Sequence, residues 1–70
     1  MWYSLINEQI LIMSDLLQAS KSGNLTEVVT LLIGGANINA TDNNNETPLY
    51  WAITYNRIDI IELLTANGGK

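Results

Sequence analysis

The sequence contains neither cysteine nor histidine. Without cysteine, the chain can form no disulfide and offers no thiolate to a metal. Without histidine, it lacks the commonest general base of enzymes and the commonest metal ligand. We therefore predict that the protein is not an enzyme and that it has no catalytic residue, no metal site and no cofactor.

Basic residues are scarce as well. Lys21, Arg57 and Lys70 are the three basic residues, against seven acidic ones, and the net charge is −4. Nucleic-acid binding needs a clustered basic patch, which three widely spaced residues do not provide. The charged fraction of 14% is below the quarter, roughly, that soluble domains carry. We therefore expect no nucleic acid as a partner, and a partner protein that covers part of the apolar surface.

No apolar run is long enough to cross a bilayer. Residues 1–13 are rather apolar, but they lack a basic start, and Asn7, Glu8 and Gln9 interrupt the run. A secretory signal begins with basic residues, continues with an uninterrupted apolar stretch and ends in a cleavage site of small residues. This segment has none of the three. The sequence therefore predicts a cytoplasmic protein that makes no contact with a membrane.

Two segments resemble ligand loops only superficially. Residues 42–46 are acidic and polar like a calcium loop, but Thr47 stands where that loop needs glycine and Ile53 where it needs glutamate. The glycine pairs at 34–35 and 68–69 lack the spacing of a phosphate-binding loop. Neither segment predicts an ion or nucleotide site.

The chain repeats itself with a period of 33 residues. The positions that match across this shift carry apolar residues or glycine, the classes that packing and backbone geometry constrain most. They are Leu16 and Leu49, Ala19 and Ala52, Leu25 and Ile58, Val28 and Ile61, Leu31 and Leu64, and Gly35 and Gly68. A repeat of this length is typical of stacked helical units.

Each unit has the pattern of two short helices. In the second unit, Thr47 can cap a helix over 48–55 that begins with Pro48, and Asn56 can end it in the left-handed conformation. A second helix is predicted over 58–66, with apolar residues at helical spacing. The first unit predicts helices over 14–22 and 25–33, each followed by glycine. The polar segment 36–46 between the units lacks helical periodicity and indicates a turn-rich finger.

These segments resemble the ankyrin repeat. Residues 23–32 and 35–40, Gly-Asn-Leu through Leu-Leu and Gly-Ala-Asn-Ile-Asn-Ala, resemble the second half of its consensus, and residues 47–52, Thr-Pro-Leu-Tyr-Trp-Ala, resemble its T-P-L-H-x-A signature. The resemblance covers about residues 14–69. Tyr50 departs from it by replacing the signature histidine, while Asn45 and Asn56 replace glycines, which asparagine can do at positive φ better than most residues.

The resemblance implies an all-α solenoid of stacked helix-turn-helix hairpins. We divide the chain into an N-terminal capping helix at 1–13, a first repeat with its finger at 14–46 and a second repeat at 47–70. Apolar residues at helical spacing favour the capping helix, and the pattern leaves open whether it continues to Leu16 and Leu17 or breaks near Ser14. The last helix is apolar where a free solenoid would be polar.

The resemblance also places a protein-binding surface on the finger and on the exposed side of each first helix. The residues it assigns are Lys21, Ser22, Asn43, Asn44, Glu46, Trp51, Thr54 and Tyr55. We favour Tyr55, because aromatic residues are enriched at binding hot spots. Some of these residues have a plainer interpretation: Trp51 as packing, Tyr55 as the solvent-exposed end of a helix and the asparagines as a turn.

The function expected from this pattern is the binding of another protein through the concave face and finger loops. The alternative is a self-associating structural unit, a homo-oligomer in which a second copy buries the apolar C-terminal repeat.

Overall fold

The computed structural model describes residues 15–70, which form four α-helices and no strand. Helix α1 covers Leu16–Ser22, α2 covers Leu25–Ile33, α3 covers Pro48–Thr54 and α4 covers Ile58–Ala66. These bounds confirm the all-α fold of two helix-turn-helix hairpins. The capping helix predicted within residues 1–13 lies outside the described residues. Among the helices described, none combines the length and the apolar character that a membrane span requires.

Side chains at three helix starts accept hydrogen bonds from otherwise unpaired backbone N–H groups. Thr47 caps α3 as predicted, accepting from the N–H of Tyr50 at 3.2 Å. The cap of α1 is Asp15 rather than Ser14, and its carboxylate accepts from the N–H of Gln18 at 2.9 Å. The helix predicted over 14–22 therefore begins two residues later than expected, at Leu16. The backbone of Asp15 is extended, as is usual for a residue that caps a helix start.

Left-handed residues recur with the same period as the helices. Gly23 and Asn56 end the first helix of each hairpin with φ of 77° and 58°. Gly35 and Gly68 end the second helices with φ of 93° and 86°. Asn45 in the finger has φ of 62°. The prediction that Asn45 and Asn56 replace glycine at positive φ is confirmed.

The core is one cluster to which all four helices contribute. Its fully or almost fully buried apolar residues are Leu16, Ala19, Val28, Ala52, Ile60 and Leu64. Two apolar residues of the second hairpin, Ile53 in α3 and Ile58 in α4, are 58% and 56% exposed. Ile60 is fully buried instead, in a helix that packs against both α2 and α3. Helical spacing in the sequence shows which apolar side chains share one face of a helix, but it does not show which neighbouring helix covers that face.

The two hairpins stack side by side. Within each hairpin the two helices pack together, and between the hairpins α1 packs against α3 more extensively than α2 packs against α4. The first helices therefore form one continuous surface. The finger, residues 36–46, connects α2 to α3 and so joins the two hairpins.

Arg57 joins the two repeats by hydrogen bonds. Its Nε and Nη2 donate to the carbonyl oxygen of Lys21 at 3.1 and 2.9 Å. That carbonyl lies in the last turn of α1, where backbone acceptors lack helical partners and positive charge is favoured. Gly23 leaves room for the guanidinium, since a Cβ there would lie 2.8 Å from Nε. The start of α4 is thereby fixed against the end of α1.

We predict that Arg57→Met destabilises the fold by about 2 kcal/mol, because it removes two charge-assisted hydrogen bonds and retains the aliphatic packing. Arg57→Lys should recover only part of the loss, since an ammonium cannot reproduce the two-pronged geometry. Urea unfolding followed by circular dichroism measures both changes. Equal stability of the methionine variant and the wild type would contradict the role given to this contact.

Candidate functional site

The finger is closed by the backbone and the side chain of Asp42. The N–H of Asp42 donates to the carbonyl of Glu46, and the N–H of Asn45 donates to the carbonyl of Asp42, both at 3.1 Å. Oδ1 of Asp42 accepts from the N–H groups of Asn44 and Glu46, both at 2.9 Å. Aspartate is favoured in turns for this bonding to nearby N–H groups. The finger is consequently a defined turn.

Asp42 also ties the finger to α3. Its Oδ2 accepts from Nε1 of Trp51 at 2.9 Å. The N–H of Glu46 contributes most to lowering the pKa of Asp42, partial burial opposes this effect, and the indole N–H lowers the pKa further. Hydrogen bonds to the charged form favour ionisation, so the carboxylate stays charged at neutral pH.

Trp51 is the centre of a group of side chains that we call the aromatic surface, formed by Tyr50, Trp51 and Tyr55. The rings of Trp51 and Tyr55 stack with centroids 5.8 Å apart and planes inclined by 24°. Tyr50 meets Trp51 edge-on at 5.2 Å. Both geometries are favoured for aromatic pairs. Trp51 is half-buried, whereas Tyr50 and Tyr55 are 45% and 50% exposed.

Lys21 contributes to this surface from the other repeat. Its Nζ lies 4.3 Å from the centroid of a Trp51 ring, within the range of a cation–π contact. The contact needs both repeats, since Lys21 is in α1 and Trp51 in α3. The aromatic surface therefore spans the boundary between the hairpins.

Carboxylates lie at the finger side of the aromatic surface. The carboxylate of Glu46 raises the pKa of Tyr50, and the charge of Asp42 acts in the same direction. The pKa of Asp42 in turn responds to the side chain of Glu46. Two carboxylates are thus neighbours beside a half-exposed tyrosine, which stays protonated at neutral pH.

The structure brings together some of the residues assigned from the sequence and separates others. Lys21, Trp51 and Tyr55 are in contact through the Trp51 ring. Asn43 and Asn44 are exposed at the finger. Trp51 therefore both packs against its neighbours and forms part of the aromatic surface.

Two other assigned residues use their hydroxyl groups within their own helices. Ser22 donates to the carbonyl of Ala19 at 3.2 Å, and Thr54 donates to the carbonyl of Tyr50 at 2.8 Å. Both side chains are at exposed positions next to the aromatic surface. They can still accept hydrogen bonds there.

Sequence reasoning missed the roles of Asp42, Tyr50 and Arg57. The run of aspartate and asparagines from Asp42 is a turn signal that could have identified the finger carboxylate. Tyr50 was noted only as a departure from the family signature. No sequence signal pairs Arg57 with a carbonyl 36 residues earlier.

The arrangement suits binding more than bond-making chemistry. In the described part of the chain, no three acidic, histidine or cysteine side chains converge as metal ligands would. An open, mainly apolar concavity beside α1 and α2 shares no residue with the aromatic surface; Asp15, Leu16, Thr30, Leu31, Gly34, Gly35 and Ala36 line it. Asp15 supplies the one carboxylate among these lining residues, and that carboxylate already accepts a hydrogen bond from the N–H of Gln18.

Comparison with known proteins identifies relatives of this chain. The family model described as ankyrin repeats (3 copies) matches residues 13–70. A protein of Fowlpox virus (strain NVSL) that bears the name of an ankyrin repeat protein is 39% identical over 49 residues. This alignment covers 70% of the chain and 35% of the viral protein. The chain therefore spans about a third of the length of that relative.

We predict that Asp42→Asn lowers stability at neutral pH, because an uncharged amide accepts the three N–H groups less strongly. The pKa of Asp42 is lowered from 3.8, so its stabilisation is complete above about pH 3.8 and is lost as the pH falls through the lower folded value. The stability difference between wild type and variant should therefore shrink in strong acid.

Urea unfolding of both proteins at about pH 7 and at about pH 3 measures this difference. The two proteins differ only at position 42, so the change of the difference with pH reports on that side chain. A difference that is unchanged in acid would show that the charge of Asp42 is not what organises the finger.

Proposed function

The chain belongs to the ankyrin-repeat family, and we propose that it binds a partner protein through the aromatic surface, Lys21 and the finger. Ankyrin repeats generally mediate protein–protein interaction, and the family is typically a non-catalytic interaction module. The finer assignment of the surface rests on the contacts of this chain alone.

The observation that carries the proposal is the exposure of aromatic rings that are already fixed in place. Tyr55 is half-exposed while its ring stacks on Trp51, and Trp51 is held by the carboxylate of Asp42. Ordering flexible side chains opposes association, so rings that are ordered in advance bind at lower cost. Large aromatic side chains also dominate hot spots. Tyr55 is accordingly the anchor that we assign.

Polar groups surround this anchor as they do in ordinary interfaces. Asn43 and Asn44 present their side-chain amides at the finger, and neither amide has a partner among the described residues' hydrogen bonds. Glu46 is half-buried between the finger and Tyr50. These groups supply directional hydrogen bonds next to an apolar centre, which favours recognition of one partner over another.

Affinity capture from a cell lysate, with quantification of captured proteins by mass spectrometry, tests this proposal. Tyr55→Ala should reduce capture of the partner at least about tenfold, the cost of losing a hot-spot residue. Asn44→Ala should reduce capture less. Asn44 holds the finger only through its backbone N–H, which alanine retains, so this variant removes the side-chain amide and leaves the finger in place.

Glu62→Ala provides the matched control, since Glu62 is exposed on the second helix of the same repeat. Circular dichroism must show the same fold for all variants. If every captured protein binds Tyr55→Ala and Asn44→Ala as well as the wild type, the surface is wrongly assigned.

One observation favours self-association as a second function. On the side of repeat 1 that faces repeat 2, Ser20 and Val28 are fully buried. The residues 33 positions later, Ile53 and Ile61, are 58% exposed and half-buried. The face of repeat 2 that corresponds to the covered face of repeat 1 is thus apolar and partly exposed. A second copy of the chain could bury this face.

Light scattering over a range of concentrations tests self-association. If the face is an interface, the mass should rise toward that of a dimer, and Ile53→Glu should weaken association at least about tenfold. Ile33→Glu is the matched control, because Ile33 is 82% exposed and lies on α2, outside this face. A monomer at every concentration, or equal weakening by both substitutions, argues against the second function.

A further inference from the structure

We propose that the aromatic surface takes an arginine side chain from a basic segment of the partner protein, with the guanidinium paired to Glu46 and stacked on an exposed tyrosine ring. This inference rests on the proposed function and adds the chemistry of the partner. It follows from charge, from the carboxylates at the finger and from the position of Lys21.

The charge of the molecule favours a cationic partner. The net charge is −4, and two of the three basic side chains, those of Lys21 and Arg57, are engaged within the fold. The guanidinium of Arg57 donates to the carbonyl of Lys21, and the ammonium of Lys21 lies over Trp51. A basic segment would therefore approach a surface whose potential is complementary to its own.

Glu46 is the carboxylate that is suited to pair with such a segment. Both oxygens of Asp42 already accept N–H groups, from Asn44 and Glu46 on one side and from Trp51 on the other. Glu46 lies beside Asp42 in the finger: its N–H donates to Oδ1 of Asp42 at 2.9 Å, and Oδ2 of Asp42 holds Trp51. A cation that pairs with the Glu46 carboxylate is attracted by the neighbouring charge of Asp42 as well.

The neighbouring rings favour arginine over lysine. A guanidinium is planar, binds a carboxylate through two parallel N–H groups and stacks on aromatic faces. An ammonium is a compact, strongly hydrated charge that cannot do both at once. Tyr50 and Tyr55 are each about half-exposed, and Tyr50 adjoins Glu46. A carboxylate next to half-exposed aromatic rings therefore suits an arginine side chain better than a lysine side chain.

Lys21 determines where the guanidinium lies. Its ammonium is 4.3 Å from the Trp51 ring, so a second cation on that ring would meet a like charge. The repulsion directs the incoming group to the finger side, toward Glu46. Removal of the Lys21 charge should therefore strengthen the binding of a cation and weaken the binding of an anion.

The test uses the full chain with Trp2→Phe, so that Trp51 is the remaining tryptophan and its fluorescence reports on the surface. The probes are short capped peptides of glycine alternating with arginine, citrulline, lysine or glutamate. Citrulline keeps the shape of arginine without its charge. We expect the arginine peptide to bind most tightly, lysine more weakly, and citrulline and glutamate at least about tenfold more weakly.

Three variants locate the binding site on the molecule. Glu46→Gln should weaken the arginine peptide about tenfold by removing the paired charge. Glu62→Gln, which removes an equal charge from the exposed face of α4, should change the affinity less than about twofold. Lys21→Met should tighten the arginine peptide about threefold at low salt and leave citrulline unchanged.

The proposal is overturned if citrulline binds as well as arginine, if glutamate binds better, if no peptide binds, or if Glu46→Gln and Glu62→Gln act alike. These results leave the proposed function intact provided that Tyr55→Ala still reduces capture of the partner at least about tenfold. If capture is unaffected by Tyr55→Ala while the arginine peptide binds as expected, the proposed function fails and the cation site remains.

Discussion

The structure depends on the contact between its two hairpins, because neither hairpin is large enough to bury its own apolar faces. Small side chains allow this contact: Ala19 and Ala52 are buried in the first helices, which pack more closely than the second helices. Ser20 is fully buried in the same helix, and its hydroxyl donates to the carbonyl of Leu16 at 2.8 Å. Every buried side-chain polar atom in the described residues is likewise bonded. Repeat stacks derive their stability from such nearest-neighbour contacts.

The candidate site exists because of the same contact. Lys21 and the carbonyl that it presents to Arg57 belong to repeat 1, whereas Trp51 and Arg57 belong to repeat 2. If the hairpins separated, the ammonium would leave the indole ring and the surface would lose its charge arrangement. A partner that binds across this boundary would therefore stabilise the stacked state, since any ligand of the folded form adds its binding free energy to stability.

The finger shows how a short loop can be held in one conformation against a helix. Asp42 closes the turn with one carboxylate oxygen and holds Trp51 with the other. Asn45 adopts the left-handed conformation that the turn requires. The asparagine amides beside it remain available to a partner, because the turn is built from backbone groups and Asp42. Loops on a rigid scaffold are common, and here the carboxylate of Asp42 and the side-chain amide of Asn39 join the loop to the second repeat.

The sequence by itself determined the local structure and the repeat. The period of 33 residues, Thr47 and Pro48 at a helix start, and Asn56 at a helix end predicted the hairpins, because capping and left-handed turns depend on a few neighbouring residues. Tertiary structure alone decided that Ile60 is buried and Ile58 exposed, and that Lys21, Asp42 and Tyr55 meet around Trp51. These outcomes depend on how one hairpin is placed against the other, and spacing along a single helix carries no information about its neighbour.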